Sequence, residues 1–187
     1  DLSSEQIQVF TAALRKDLLV SGPPGTGKTV MALYRAQMIS RKDAGTKFWL
    51  IMYNRLLGQY TQGNLGDGGF TNADSVGSRI RTKHKWMYAW GKRWGMGNAE
   101  IAPYVYDWNG IVSTLATQPP HVQKRAFGWD HLIIDEGQDF APGFYRMLSF
   151  VKTMAQQTIG KSMALTVFAD ENQRISKDEN ATIEDIE

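Results

Sequence analysis

The chain has 187 residues, with 21 Lys+Arg against 19 Asp+Glu, a formal net charge of +2. Apolar residues make up 42% and charged residues 21%, ordinary values for a globular chain that buries a real core in one domain. There is no cysteine, which excludes disulfide scaffolds, zinc ribbons and thiol chemistry, and the three histidines show no close metal-ligand spacing.

In chain order, Leu2–Leu14 is apolar at 2, 7, 9, 10, 13 and 14 behind a Ser3 or Ser4 cap, which predicts a helix. Leu18-Leu19-Val20 is a short apolar run before a glycine and predicts a buried strand. Lys28–Arg41 is helical, with Val30, Leu33, Tyr34, Met38 and Ile39 as inner positions. Phe48–Tyr53 predicts a second buried strand, Ser78–Thr82 a third, and Lys83–Trp94 a helix. Trp108–Ala116 predicts a helix ended by Pro119-Pro120, with Asp107 as its cap. Leu132-Ile133-Ile134 predicts a strand, Pro142–Gln157 a helix with proline near its first turn, and Met163–Ala169 a strand. Nearly all-apolar strands alternating with helices predict an α/β fold, with a mainly parallel sheet covered by helices on both faces. Six glycines between Gly58 and Gly77 mark that stretch as a loop.

Two features carry chemistry. Gly22-Pro23-Pro24-Gly25-Thr26-Gly27-Lys28-Thr29 fits GxxxxGK[ST] between a buried strand and a helix. There Gly22, Pro23, Gly25, Thr26 and Gly27 form a turn whose backbone N–H groups face phosphate oxygens, at the positive end of the following helix. Lys28 neutralises the β/γ charge, and the Thr29 hydroxyl is placed to ligate Mg²⁺. The second feature is the apolar strand 132–134 ending in Asp135-Glu136. Strand C-termini line the ligand crevice of an open parallel sheet. Asp135 then reaches Mg²⁺, and Glu136 is the base that orients or deprotonates a water. This pairing favours hydrolysis of ATP. No NKxD motif for reading guanine is present.

Charge is spread unevenly. Residues 79–94 hold Arg79, Arg81, Lys83, Lys85, Lys92 and Arg93 with no acid, whereas 170–187 holds seven acids and two bases. Trp86, Tyr88, Trp90 and Trp94 are interleaved with those cations. Basic grooves lined with rings bind single strands. Yet Trp86, Trp90 and Trp94 recur at i, i+4 and i+8, which is equally the stripe of a core-facing helix.

The run Asp135-Glu136-Gly137-Gln138-Asp139 resembles the DExQD motif of superfamily 1 helicases of the UvrD/Rep-like type. Further resemblances appear in the family's order. Leu2–Gln6 resembles the Q motif, which implies that Gln6 reads the adenine edge; Gly22–Thr29 is similar to the Walker A motif. Tyr53–Leu57 resembles motif Ia and Thr82–Trp86 motif Ib, which implies single-stranded DNA contacts by Asn54, Thr82, His84 and Trp86, with RNA not excluded. From the residues alone, Asn54 serves equally as a helix cap and His84 as a structural hydrogen-bonding residue. Phe168–Arg174 resembles motif III with Ala169 in place of glycine, which implies that Gln173 senses the γ-phosphate.

Taken together, the resemblance implies a RecA-like P-loop NTPase that uses ATP and Mg²⁺, with Lys28, Glu136 and Gln173 as its catalytic residues. The expected organisation is one domain over 1–187, with loop 58–77 and the basic aromatic segment 78–95 inserted on it. The family's second RecA-like domain, which supplies arginines to the γ-phosphate, is missing from the chain. The leading expectation is the ATP-binding motor domain of a DNA helicase or translocase, weak or incomplete alone. The alternatives are a stand-alone ATP-dependent switch or nucleic-acid-binding module without strand separation, and an unrelated P-loop ATPase. No apolar run approaches the roughly 20 residues of a membrane span, and no signal peptide is visible. No membrane partner and a cytoplasmic location are therefore expected. The first residue is Asp1, so the chain reads as a fragment or trimmed product.

Overall fold

The computed structural model describes residues 3–42, 45–52, 76–170 and 186. In chain order the elements are α1 (Ser4–Thr11), β1 (Leu18–Gly22), α2 (Lys28–Lys42), β2 (Phe48–Met52), β3 (Ile80–Thr82) and α3 (Lys83–Trp94). These are followed by β4 (Glu100–Ala102), β5 (Val105–Tyr106), α4 (Trp108–Thr117), α5 (Pro120–Ala126) and β6 (His131–Ile134). A single 3₁₀ turn (Gly137–Asp139), α6 (Pro142–Ile159) and β7 (Ala164–Asp170) complete them.

The main sheet has the order β1-β7-β6-β2-β3, and every pair in it is parallel. Successive strand side chains point to opposite faces, and two separate cores show it. Phe48, Leu50 and Met52 of β2, Ile133 of β6 and Phe168 of β7 pack on one face with Met31, Ala32, Ala36 and Ile39 of α2. Ile51, Leu132, Ile134 and Val167 pack on the other face with α3, α4 and α6. The chain is thus an α/β protein with a parallel sheet covered on both faces, the RecA-like arrangement.

The expected strands all form. Three features differ from expectation. First, the inner face of α2 is Met31, Ala32, Leu33, Arg35, Ala36, Gln37 and Ile39, whereas Val30 and Tyr34 are 51% and 37% exposed. Residues 30 and 34 form an i, i+4 stripe that points away from the sheet. Second, Pro119-Pro120 ends α4 but also starts α5, with proline in the first turn, where its missing N–H is not needed. Third, residues 100–106 form a small antiparallel hairpin. It turns through Tyr104 at φ +66°, a left-handed conformation that costs a non-glycine residue about 1–2 kcal/mol.

The basic aromatic segment contributes to both the sheet and the core. Ile80–Thr82 is the edge strand of the main sheet, and α3 delivers Trp86, Met87, Trp90 and Trp94 to the core. Trp86 and Trp90 stack at 5.4 Å with planes 8° apart, and Trp90 Nε1 donates to the Ala126 carbonyl at 2.9 Å. Of the 58–77 loop, only 76 and 77 lie among the described residues.

Candidate functional site

The phosphate loop joins β1 to α2. Gly25 and Gly27 both sit at φ +79°, a region open to glycine and closed to most side chains, so the turn needs them. Lys28 opens α2 and is only 8% exposed. Its Nζ donates to the carbonyls of Gly22 at 3.0 Å and Pro23 at 2.7 Å and to Thr26 Oγ1 at 3.1 Å. It also forms a buried ion pair with Asp170. The sheet order explains that pair: β1 and β7 are neighbours, with Gly22 opposite Asp170.

Asp135 follows β6 and is 1% exposed. Thr29 Oγ1 donates to Asp135 Oδ2 at 2.7 Å, so the two residues expected at a metal touch directly. Burial pushes the Asp135 carboxyl up to about 6, the Thr29 hydrogen bond opposes this, and the Glu136 charge adds to it. Glu136 has φ +54°, a strained conformation for a non-glycine residue, at the point where the chain leaves the sheet. Gln138 Nε2 donates to Glu136 Oε2 at 2.7 Å, and Gln138 Oε1 accepts from the Asp170 N–H at 2.9 Å. Gln138 therefore ties the acidic strand end to β7. The Asp139 carboxyl is pushed up to about 6 by burial and by the charges of Glu136 and Asp170, and its Oδ1 is buried without a hydrogen-bond partner. The Tyr145 hydroxyl donates to the Gly137 carbonyl at 2.5 Å and anchors the turn from below.

Gln6 lies over the same loop. Ser3 and Gln6 form a reciprocal capping box at the start of α1. The Gln6 Nε2 lies 3.5 Å from the Thr26 carbonyl. The fold thus brings Gln6, Gly22, Pro23, Gly25, Thr26, Gly27, Lys28, Thr29, Asp135 and Glu136 to one end of the sheet. Gln173 and Asn54 lie outside the described residues.

Four acids, Asp135, Glu136, Asp139 and Asp170, lie close enough to act on one another's charge, and Lys28 acts on Asp135 and Asp170. Among the described residues no cluster of three or more His, Cys, Asp or Glu is arranged to hold a metal by itself. Mg²⁺ needs only one or two protein oxygens and completes its shell with water and phosphate. The hydroxyl–carboxylate pair Thr29–Asp135 is such a donor set.

The other expected nucleic-acid residues divide. Thr82 is the N-cap of α3 and accepts from the Lys85 N–H at 3.4 Å. His84 is held by the β4–β5 hairpin: Nδ1 is 2.5 Å from the Tyr106 hydroxyl, Nε2 is 3.3 Å from Glu100, and the Tyr104 ring lies at 4.5 Å. Trp86, also expected at single-stranded DNA, is 3% exposed and packs against Trp90, Trp129 and Phe144. Arg79 and Arg81 place their guanidiniums over Trp49 at 5.5 and 5.0 Å. The exposed cations of the segment are Lys85, Lys92 and Arg93.

Two contributors escaped the sequence reading of the site. Asp170 was visible only as part of a motif, since its pairing with Lys28 depends on strand order. Arg35, 0% exposed on α2, carries no sequence signal, because a charged residue at a helix position reads as solvated.

The AAA domain family matches residues 5–179 of the chain. Among solved structures, the Pif1 helicase from Candida albicans matches with a TM-score of 0.53 and 16% identity, over 91% of this chain and 32% of that one. The Pif1 helicase from Bacteroides in complex with ADP-AlF3 and ssDNA matches with a TM-score of 0.44 and 16% identity, over 91% and 32% of the two chains. Unliganded Pif1 from Bacteroides sp matches with a TM-score of 0.44 and 15% identity, over 96% and 34%. The chain spans about a third of the length of these structures. No curated protein matches.

Proposed function

The chain belongs to the AAA domain family, and on that premise we propose that it is the ATP-binding first motor domain of a superfamily 1 DNA helicase or translocase, with the motif order of the UvrD/Rep-like type. One observation supports the reading: Lys28 and Thr29 at the start of α2 and Asp135, Glu136 and Gln138 after β6 meet at one edge of the sheet through Thr29–Asp135, with Gln6 against Thr26 of the loop. The Pif1 fold of Candida albicans supports it at the level of architecture.

In this reading the loop N–H groups between Gly22 and Thr29 cradle the phosphates of ATP, and Lys28 exchanges its loop carbonyls and Asp170 for phosphate oxygens. Gln6 holds the adenine edge. Thr29 and Asp135 hold Mg²⁺, which supplies charge neutralisation on the phosphates. Glu136, oriented by Gln138, positions the attacking water and takes its proton. Gln138 passes a change at Glu136 to β7, and from there to the segment holding Gln173. Thr82 and the cations of α3 face single-stranded DNA, and RNA is not excluded. The 1–187 region works as one RecA-like unit that requires a second such domain for its full rate, since an arginine supplied to the γ-phosphate is worth on the order of 10³–10⁵.

The test is Mg-ATP turnover by this chain with and without single-stranded DNA, beside a nucleotide-binding control. Binding with little turnover is expected. Absence of ATP binding refutes the reading. Strong DNA-stimulated turnover refutes the requirement for a second domain.

A further inference from the structure

We propose that Arg35 is a positioning residue for base recognition: it locks the helix that carries Gln6 to the helix that carries Lys28, so that adenine and phosphates meet one rigid unit. This rests on the reading of Gln6 and the phosphate loop given above.

Arg35 lies about two turns beyond Lys28 on α2 and is completely buried. Its Nη1 donates to the carbonyls of Val9 at 3.2 Å and Ala12 at 2.9 Å, and its Nη2 to Ala13 at 2.8 Å. Its Nε is buried without a partner, so its hydrogen bonds run from the two terminal nitrogens. The three carbonyls lie at the C-terminal end of α1, where helical C=O groups lose their intrahelical partners and the dipole is negative.

A buried guanidinium is costly. Its neighbours on α2, Met31, Ala32, Ala36 and Ile39, show what simple packing at this face uses. The three carbonyls are reached from two separate nitrogens of one planar fork, a geometry that lysine's single ammonium does not reproduce. The far end of the clamped element is the Ser3–Gln6 capping box over Thr26. α1 has eight residues, too few for a helix to hold itself in water. The place of Gln6 therefore depends on what anchors α1, and the anchor stands on the helix that begins with Lys28.

The experiment measures binding of ATP, GTP and tripolyphosphate to Arg35→Lys, Arg35→Gln, Gln6→Ala and the double variant Gln6→Ala/Arg35→Lys. The preference for ATP over GTP is expected to fall about tenfold in the Arg35 variants, the worth of about one hydrogen bond. Affinity for tripolyphosphate is expected to hold, and the double variant to lose no more than Gln6→Ala alone. An unchanged ATP preference in the Arg35 variants, a parallel loss of tripolyphosphate binding, or additive losses in the double variant overturns the proposal. If Gln6→Ala itself leaves the preference unchanged, the base reading falls and this inference with it. Amide hydrogen exchange on the unaltered chain tests the same point without a variant. Tripolyphosphate, which engages only the phosphate loop, is expected to slow exchange in residues 4–12. Unchanged exchange there overturns the coupling.

Discussion

Replacing Asp135 by asparagine is expected to stabilise the nucleotide-free chain while removing the proposed Mg²⁺ ligand. The carboxyl is 1% exposed and is raised from 3.8 to about 6, chiefly by burial. The unfolded chain therefore gives up this proton more readily than the fold does. Ionised Asp135 is a penalty on the fold, complete above about pH 6 and relieved as pH falls from there toward 3.8. At pH 7 it is about 3 kcal/mol, taking about 1.4 kcal/mol for each factor of ten in acidity. The asparagine side chain keeps an oxygen to accept from Thr29 Oγ1, which now donates to Asp135 at 2.7 Å, and carries no charge. Urea unfolding in chelator is expected to show Asp135→Asn more stable by up to about 3 kcal/mol at pH 7 and by only about 1 kcal/mol at pH 4.5. His131 acts in the opposite sense. Burial and Arg35 lower it to about 4, so its contribution is lost as pH falls below 6.5. The difference between the two proteins, in which His131 cancels, is the quantity to read. A variant no more stable than the parent at pH 7, or a gap that does not narrow at pH 4.5, refutes the reasoning. Loss of Mg²⁺-dependent nucleotide affinity in the same variant would show the trade between stability and function.

Further outcomes follow from the same geometry. Lys28→Ala is expected to abolish nucleotide binding by titration, and Glu136→Gln to spare binding and block hydrolysis in a chain that includes a second motor domain; retained turnover refutes Glu136 as the base. Gly137→Ala places a Cβ inside contact distance of Val167 Cγ1 and 2.9 Å from the Tyr145 hydroxyl oxygen. It is expected to cost about 1–3 kcal/mol in urea unfolding. Trp86→Phe is expected to lower the melting midpoint and leave single-strand affinity unchanged; the reverse pattern restores a stacking role. With Lys85, Lys92 and Arg93 as the exposed cations, the salt slope for single-strand binding is expected near −2, about −0.7 for each. A slope near zero refutes this face as a nucleic-acid surface.

Local patterns in the sequence were enough for the elements and the phosphate loop. Apolar runs of strand length, glycines before a lysine and a proline at a helix start act within a few residues of themselves, so no partner is needed to read them. The acidic strand end was legible for the same reason. What the sequence could not determine is who meets whom. Trp86, Trp90 and Trp94 share a helix face in any fold, and only the sheet beneath them decides that the face is core. Thr29 and Asp135 are 106 residues apart and touch because β6 ends and α2 begins at the same edge. Lys28 pairs with Asp170 because β7 inserts between β1 and β6. Arg35 is the extreme case. Its charge argues for solvent on every local rule, and it is buried where it donates to three carbonyls at the end of another helix. Hydrophobic periodicity selects the elements, whereas the satisfaction of buried polar groups, settled only in three dimensions, selects which residues make the site.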